Sequence, residues 1–198
     1  GKYMDVLEKS LYNGALAGLS ITGDRFFYGN PLASRGQHFR REWFGTACCP
    51  SNIARLVASV GNYIYGQSND ALWLNLFIGS KTNFTYGNTS LAMEMETGYP
   101  FNGQVKLTIN PTKRIRKALR IRMPGWLKEA APGGLYTFAG SQPANFSVKV
   151  NGKPVELEIS DGYASFERTW IKGDIVEIDL AMNVEVVKGK DAIRQTAE

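Results

Sequence analysis

Apolar positions recur with two different periods along the chain, and the period changes near residue 68. From Tyr3 to Leu19, apolar residues return at three- and four-residue steps, which is the spacing of one helix face. A second helix is predicted from Pro50 to about Tyr65, with a proline at its first position, where the missing N–H costs nothing. After residue 68, apolar and polar residues alternate, as they do in half-buried strands.

Segments of alternating polarity predict an antiparallel β-sandwich in the second part of the chain. Turn residues separate the segments, and the "VNGKPV" stretch contains the Asn-Gly pair of a tight hairpin. The predicted strands lie within residues 71–80, 90–99, 103–111, 117–126, 145–159, 162–170 and 174–182. Several short strands at this spacing are typical of a sandwich. The sequence therefore predicts an α+β fold, with a helical part at residues 1–67 and a β-sandwich at residues 68–198.

The helical part is too small to enclose a core of its own. Two helices and a hairpin leave an apolar stripe (Leu7, Leu11, Val57 and Val60) without enough partners to bury it. We therefore expect residues 1–67 to be the C-terminal part of a larger helical domain. In the chain by itself, we expect the stripe to pack on the sandwich or on a second copy of the chain, which would give a homo-oligomer.

Composition and charge argue against several classes of protein. The hydrophobic share of 43% is not that of a disordered or collagen-like chain. No run approaches the roughly 20 apolar residues of a membrane helix, so we expect no membrane partner. The net charge of +5 is concentrated between Lys113 and Arg122, but there apolar residues alternate with Arg120 and Arg122. That pattern predicts a half-buried strand with a charged outer face, and we expect no nucleic-acid partner.

The two cysteines of the chain, Cys48 and Cys49, are adjacent and directly precede Pro50. A disulfide between neighbours would close a small strained ring and contribute little through loop entropy. Two buried inert thiols are an ordinary alternative. A reactive or metal-bound thiolate is the third, because the positive end of a helix stabilises an anion and lowers a thiol pKa.

Zinc is the metal that adjacent thiolates suggest, but it needs about four ligands and the chain has no third cysteine. His38 and Glu42 are near in sequence and could contribute. A lone histidine in a polar stretch is, however, more often a surface or hydrogen-bonding residue. From the chemistry of these residues alone, the metal site is incomplete.

Three stretches of the sequence resemble glycoside hydrolase family 127, the β-L-arabinofuranosidase family: "FFYGNPL", "RREWFGTACCPSNIAR" and "YIYGQSNDALWLNLFIGS". The resemblance begins near Tyr3 and continues, less specifically, through the predicted strands to Val187. Its specific part is the motif Trp-Phe-Gly-x-x-Cys-Cys-Pro-x-Asn at residues 43–52.

The resemblance implies an (α/α)6 catalytic barrel followed by β-sandwich domains. It also implies a zinc site of three cysteines and a glutamate, in which one cysteine is the nucleophile. Cys48 matches that nucleophile and zinc ligand, Cys49 matches a second ligand, and Tyr28 matches a tyrosine that faces the bound sugar. In the family, the other ligands and the acid/base glutamate lie upstream of the matched part. We therefore expect residues outside this chain to complete the site.

The sequence departs from the family pattern at a few positions. Thr46 stands where some members have a further cysteine, and Ser51 replaces a common proline. Neither change removes a residue that the chemistry requires, but both leave the exact sugar open. The chain is also expected to stop before the last strand of the sandwich.

The predicted function is part of a retaining glycoside hydrolase that releases β-L-arabinofuranosyl or a related sugar from a carbohydrate substrate. The 198-residue chain by itself is expected to be inactive. An alternative is a non-catalytic carbohydrate-binding sandwich, in which Trp73, Trp126 and Trp170 would stack on sugars, although a tryptophan in a strand more often belongs to the core. A third hypothesis is a structural zinc module whose metal is coordinated by protein alone.

Overall fold

The computed structural model describes residues 1–31, 33–127, 135–140 and 145–191. The chain divides into two compact units: Lys2–Ile64 is one, and Gly1 with Tyr65–Glu198 is the other. The division lies close to the point at which the apolar period changes. The prediction of an α+β fold with several antiparallel sheets is confirmed.

The first helical segment extends over the predicted residues but changes its winding. Helix α1 (Lys2–Lys9) continues as a π-helix (Ser10–Ala15) and ends in a 3₁₀ turn (Leu16–Gly18). The wider turns coincide with an Asn-Gly pair at positions 13 and 14, and both residue types have low helix propensity. The helix predicted over Tyr3–Leu19 is therefore confirmed as an α-helix up to Lys9 and is wrong in type from Ser10 onward.

The second helical segment begins earlier than predicted and is broken. Helix α2 spans Cys48–Ser59 and a short helix α3 spans Gly61–Ile64. Pro50 is thus the third residue of α2 and not the first. It is tolerated there because none of the first four N–H groups of a helix has a partner within the helix. The consequence is that both cysteines lie in the first turn of α2.

Between these helical segments, three stretches of backbone run side by side. Phe26 forms antiparallel bridges with Leu19 on one side and with Arg41 on the other. The backbone of Phe26 and that of Arg41 exchange two hydrogen bonds of 2.7 and 2.9 Å. This small three-stranded arrangement fixes the segment that leads into Tyr28.

The described strands of the second unit are β1 Tyr65–Gln67, β2 Ala71–Leu74, β3 Ser80–Tyr86, β4 Thr89–Thr97, β5 Gln104–Pro111, β6 Ile115–Arg122, β7 Tyr136–Phe138, β8 Phe146–Val150, β9 Lys153–Pro154, β10 Glu158–Ser160, β11 Tyr163–Trp170, β12 Asp174–Leu180 and β13 Val187–Gly189. They form a five-stranded sheet, a six-stranded sheet and a two-stranded sheet. The orders are β1-β2-β6-β11-β10, β3-β4-β5-β12-β8-β9 and β13-β7. A 3₁₀ turn, Gly125–Leu127, follows β6.

Apolar side chains of the two larger sheets form the core of this unit. The fully buried residues include Leu72, Leu119 and Ile121 of the five-stranded sheet and Leu91, Leu107 and Ile109 of the six-stranded sheet. Ring contacts also join the sheets, since Tyr65 of β1 packs edge-on against Phe84 of β3. Alternation of apolar residues therefore identified the core side of these strands.

The predicted Asn-Gly hairpin is confirmed. Asn151 and Gly152 both have positive φ, 52° and 75°, as the central residues of a type I′ turn require. The turn joins β8 to β9, where Val150 pairs with Lys153.

Several details of the strand prediction are wrong. The pair β2–β6 is parallel, so the five-stranded sheet is mixed. Strands β1, β3, β7 and β13 were not predicted, and the predicted strand at residues 71–80 ends at Leu74. Arg122 is fully buried and does not lie on a charged outer face; its Nε donates a 2.5 Å hydrogen bond to the carbonyl of Asn75. This carbonyl oxygen offsets part of the cost of burying the cation, and the ring of Phe77 lies 5.6 Å from the guanidinium carbon.

Candidate functional site

The two cysteines lie side by side at the start of α2, and both thiols are free. Because both thiols are free, they form no vicinal disulfide. Cys48 is exposed and Cys49 is half-buried, so the pair is not one of two buried inert thiols. Their Sγ atoms are 3.7 Å apart. Two thiolates on one tetrahedral zinc, with Zn–S bonds of about 2.3 Å, would lie about 3.8 Å apart. The spacing and chemistry of this pair therefore fit two ligands of one zinc ion.

The start of α2 is held by side chains that follow the cysteines. Ser51 Oγ donates a 2.7 Å hydrogen bond to the carbonyl of Ala47, and Asn52 Nδ2 donates a 2.7 Å hydrogen bond to the carbonyl of Cys48. Ala47, at the N-cap, forms no side-chain cap. The backbone N–H groups of Cys48 and Cys49 interact instead with the Cys48 sulfur and lower its pKa.

Tyr28 is the residue that the fold brings to Cys48. Its hydroxyl oxygen lies 3.1 Å from the Sγ of Cys48, and its ring packs on Phe44 at 5.4 Å between centroids. The side chain is still 47% exposed. The structure thus places the predicted sugar-facing residue and the predicted nucleophile in direct contact.

This contact distinguishes the two thiols electrostatically. The hydrogen bond from the Tyr28 hydroxyl lowers the pKa of Cys48, and hydrogen bonds from Cys49 and from the backbone N–H groups of the first turn add to the effect. The same hydrogen bond raises the pKa of Tyr28. The pKa of Cys49 is raised, chiefly by its hydrogen bond with Cys48. Of the pair, Cys48 is therefore the thiol that ionises first.

His38 and Glu42, which were considered as further metal ligands, have other partners. His38 Nε2 lies 2.8 Å from the carbonyl oxygen of Gly29, and Glu42 forms a 2.8 Å ion pair with Arg25. Within the described ranges, no group of three or more His, Cys, Asp or Glu side chains could hold a metal ion. The described residues thus offer two adjacent thiols that could bind a metal, Cys48 and Cys49, and no complete set of ligands.

A cavity of about 340 Å³ lies beside Tyr28. Aromatic rings form much of its wall, and such rings are suited to stacking on the apolar face of a sugar. The lining residues are Phe27, Tyr28, Gly29, Gln37, His38, Phe39, Arg41 and Phe44.

The three tryptophans considered as stacking platforms differ in exposure. Trp170 is fully buried, and its Nε1 donates a 3.0 Å hydrogen bond to the carbonyl of Lys117, so it belongs to the core. The guanidinium of Arg120 lies 4.4 Å above the ring of Trp73. Trp126 is 39% exposed. The suggestion of a stacking platform is therefore wrong for Trp170, while Trp126 is exposed enough to serve as one.

Sequence reasoning missed the residues that hold the site in place. Ser51 and Asn52 follow the cysteines at positions where a side chain can reach back one helical turn, which is a recognisable signal. The contact of His38 with the Tyr28 segment depends on the loop fold between Phe27 and Phe39, and no local pattern predicts it.

Among the described residues, no helix has both the length and the apolar character needed to cross a bilayer.

Two family models match the chain. Residues 1–62 match the model described as β-L-arabinofuranosidase, GH127 catalytic domain, and residues 71–182 match that of the GH127 middle domain. A curated relative is the non-reducing end β-L-arabinofuranosidase of Bifidobacterium longum subsp. longum. It is 34% identical over an alignment of 215 residues, which covers 100% of this chain and 30% of that protein.

Solved structures show the same likeness. A GH127 β-arabinofuranosidase has 41% identity and a TM-score of 0.87 over 98% of this chain and 30% of its own. A GH127 β-L-arabinofuranosidase of Geobacillus stearothermophilus T6 has 36% identity and a TM-score of 0.79 over the same shares. The chain thus spans about a third of the length of these relatives. The motif around the cysteines, the two family models and the similar structures agree: the chain belongs to glycoside hydrolase family 127.

Proposed function

We propose that this chain is part of a retaining glycoside hydrolase, here called the intact enzyme, that releases β-L-arabinofuranosyl residues with Cys48 as its nucleophile. The observation that supports this most is the exposed Cys48 thiol at the start of α2, with the Tyr28 hydroxyl 3.1 Å from its sulfur. The substrate class follows the names of the similar proteins.

The fold assignment that accompanies this proposal has two parts. Residues 1–67 would be the terminal helices of an (α/α)6 catalytic barrel, and residues 68–198 a β-sandwich. The match of residues 1–62 to a catalytic-domain model supports the first part. The shared core of the two larger sheets supports the second.

In the proposed reaction, the Cys48 thiolate attacks the anomeric carbon. A C–S bond forms as the C–O bond to the leaving group breaks, and a carboxylic acid from outside this chain protonates the departing oxygen. Water then attacks the same carbon and loses its proton to the resulting carboxylate. The C–S bond breaks, and the thiolate of Cys48 is restored. Two displacements at one carbon retain its configuration.

Cys48 and Cys49 would also hold a zinc ion, because their 3.7 Å spacing fits two thiolates on one tetrahedral metal. When bound, zinc keeps a coordinated thiol deprotonated at neutral pH. The other ligands would come from outside this chain. Cys49, with its raised pKa, would act as a ligand and not as the nucleophile.

Tyr28 has two roles in this proposal. Its hydroxyl donates to the Cys48 sulfur and thereby stabilises the thiolate before attack. Because the side chain is half exposed beside an aromatic cavity, its hydroxyl would also meet a hydroxyl of the bound sugar.

The proposal is tested by exchanging each cysteine for serine in the intact enzyme. Cys48→Ser should abolish turnover of an aryl β-L-arabinofuranoside, because a serine hydroxyl is far less ionised at neutral pH. Circular dichroism should be unchanged, since the exchange is nearly isosteric. Near-normal turnover by Cys48→Ser would contradict the assignment, and equal zinc content in Cys49→Ser and the parent enzyme would contradict the role of Cys49.

A non-catalytic carbohydrate-binding function is the alternative, and the exposure of Trp126 favours it. This ring lies near that of Tyr99, with centroids 6.4 Å apart and planes 19° apart. If the second unit bound sugar by this ring, Trp126→Ala would weaken binding of an arabinan oligosaccharide to the chain. On the catalytic proposal, the same substitution leaves turnover of a small aryl glycoside unchanged.

A further inference from the structure

The structure assigns to His38 the role of a positioning residue that holds Tyr28 against Cys48. This inference rests on the proposed function for its catalytic consequence. The contacts that carry it lie within the compact unit Lys2–Ile64 and exist whatever reaction the intact enzyme catalyses.

His38 contacts the residues on both sides of Tyr28. Its ring stacks on that of Phe27, with centroids 4.7 Å and planes 23° apart. Its Nε2 lies 2.8 Å from the carbonyl oxygen of Gly29. A carbonyl oxygen only accepts, so Nε2 must carry the proton in this hydrogen bond. One side chain thus fixes the backbone before and after Tyr28.

The segment before Tyr28 is anchored independently. The N–H of Phe27 donates a 2.9 Å hydrogen bond to the carbonyl of Gly18, and the guanidinium of Arg40 lies 4.3 Å above the Phe27 ring. Arg40 is itself tied to the carbonyl of Ala17 by a 2.7 Å hydrogen bond. Within the described residues, the backbone hydrogen bonds of this segment stop at Phe27. Beyond that point, His38 holds the backbone through Gly29, while the ring of Phe44 packs on the ring of Tyr28 itself.

The anchor matters because the functional atom of Tyr28 is far from its backbone. A small rotation at Tyr28 moves the phenolic oxygen more than it moves the Cα. The 3.1 Å contact with sulfur is directional, and a displacement of about 1 Å would break it. A misplacement of this size in a reacting group can reduce a rate by about a hundredfold.

The closing experiment is a double-mutant cycle in the intact enzyme, with Tyr28→Phe, His38→Ala and the double variant. If His38 acts through Tyr28, each single substitution should lower kcat/KM by about tenfold or more, and the double variant should be within about twofold of Tyr28→Phe. The loss should fall on kcat, because the contact serves the nucleophile. Independent, multiplicative losses would overturn the assignment.

Two conservative variants separate the contacts of His38 and guard against misfolding. His38→Gln retains a donor near the position of Nε2, and His38→Phe retains the stack on Phe27. Each should recover part of the kcat that His38→Ala loses. Arg35→Gln, an exposed change in the same loop, is the control and should behave as the parent enzyme. The positioning role is wrong if both conservative variants fold but lose as much kcat as His38→Ala, and if this loss multiplies with that of Tyr28→Phe.

A measurement that does not depend on catalysis, the alkylation rate of Cys48, tests this inference separately from the proposed reaction. In the intact enzyme treated with a zinc chelator, alkylation of Cys48 by a neutral maleimide, followed by peptide mapping, reports the environment of the sulfur. His38→Ala and Tyr28→Phe should change the Cys48 rate by the same factor, with no further change in the double variant. This result would support the positioning role even if no arabinofuranoside were hydrolysed. A Cys48 rate that responds to Tyr28→Phe but not to His38→Ala would overturn it.

Discussion

The Tyr28 hydroxyl oxygen lies 3.1 Å from the Sγ of Cys48, although 20 residues separate them in the chain. The paired segments around Phe26 and Arg41 return the chain toward the start of α2 and make this contact possible. It joins a phenol and the thiol with the lower pKa of the adjacent pair. The contact is the structural basis of the predictions about catalysis.

Tyr28→Phe should lower kcat in the intact enzyme by about ten- to a hundredfold. A hydrogen bond to a charged group contributes about 1.5–3 kcal/mol, and this one is lost without a change in ring volume. Steady-state kinetics on an aryl β-L-arabinofuranoside would measure the effect. Tyr63→Phe, a half-exposed tyrosine of α3, is the matched control and should leave kcat unchanged. Equal kinetics for both variants would show that the Tyr28 hydroxyl has no role.

Gly152→Ala should destabilise the second unit by about 1–2 kcal/mol, because φ is +75° at this position and an L side chain is strained there. A Cβ at Gly152 meets no atom within 4 Å, so the cost is conformational and not steric. Gly140→Ala is the matched control, since a Cβ there also meets nothing and φ lies outside the strained range. Urea unfolding of the chain should show a lower midpoint for Gly152→Ala alone. Equal midpoints would contradict the assigned turn.

The 198-residue chain by itself should bind zinc weakly and hydrolyse no arabinofuranoside. Its described residues offer the thiolates of Cys48 and Cys49 and no cluster of three ligands, and a half-coordinated zinc is easily lost. Metal analysis after dialysis, together with an activity assay, would measure both properties. Stoichiometric tight zinc with turnover would show that the site is complete within these residues.

The sequence predicted the α+β fold and the sides of the strands well, because burial on one face imposes a period of two. Leu119 and Ile121 alternate with Arg120 in the sequence and lie in the core as expected. The motif with Cys48 and Cys49 indicated the candidate site and its proposed chemistry, and the structure places Tyr28 beside Cys48 there. The hairpin at Asn151 was predictable because positive φ at two successive positions favours the Asn-Gly pair.

Other features depend on contacts between distant parts of the chain. The parallel pairing of β2 with β6 is a property of topology and leaves no mark on the local period. Arg122 is buried by neighbours such as Asn75, which sequence spacing does not place beside it. The same holds for His38, whose partner Gly29 is nine residues away along an irregular loop. Local pattern predicts which face of an element is apolar, but not which loop residues meet.

The central claim is that the Cys48 sulfur forms a covalent bond with the sugar. Its most direct test is rapid acid quenching of the intact enzyme during turnover of an activated β-L-arabinofuranoside, followed by peptide mass spectrometry. The account predicts a pentosyl adduct on the peptide that contains both cysteines, fragment ions that locate it on Cys48, and no adduct in Cys48→Ser. An adduct on another residue, or an equal adduct in Cys48→Ser, would contradict the account.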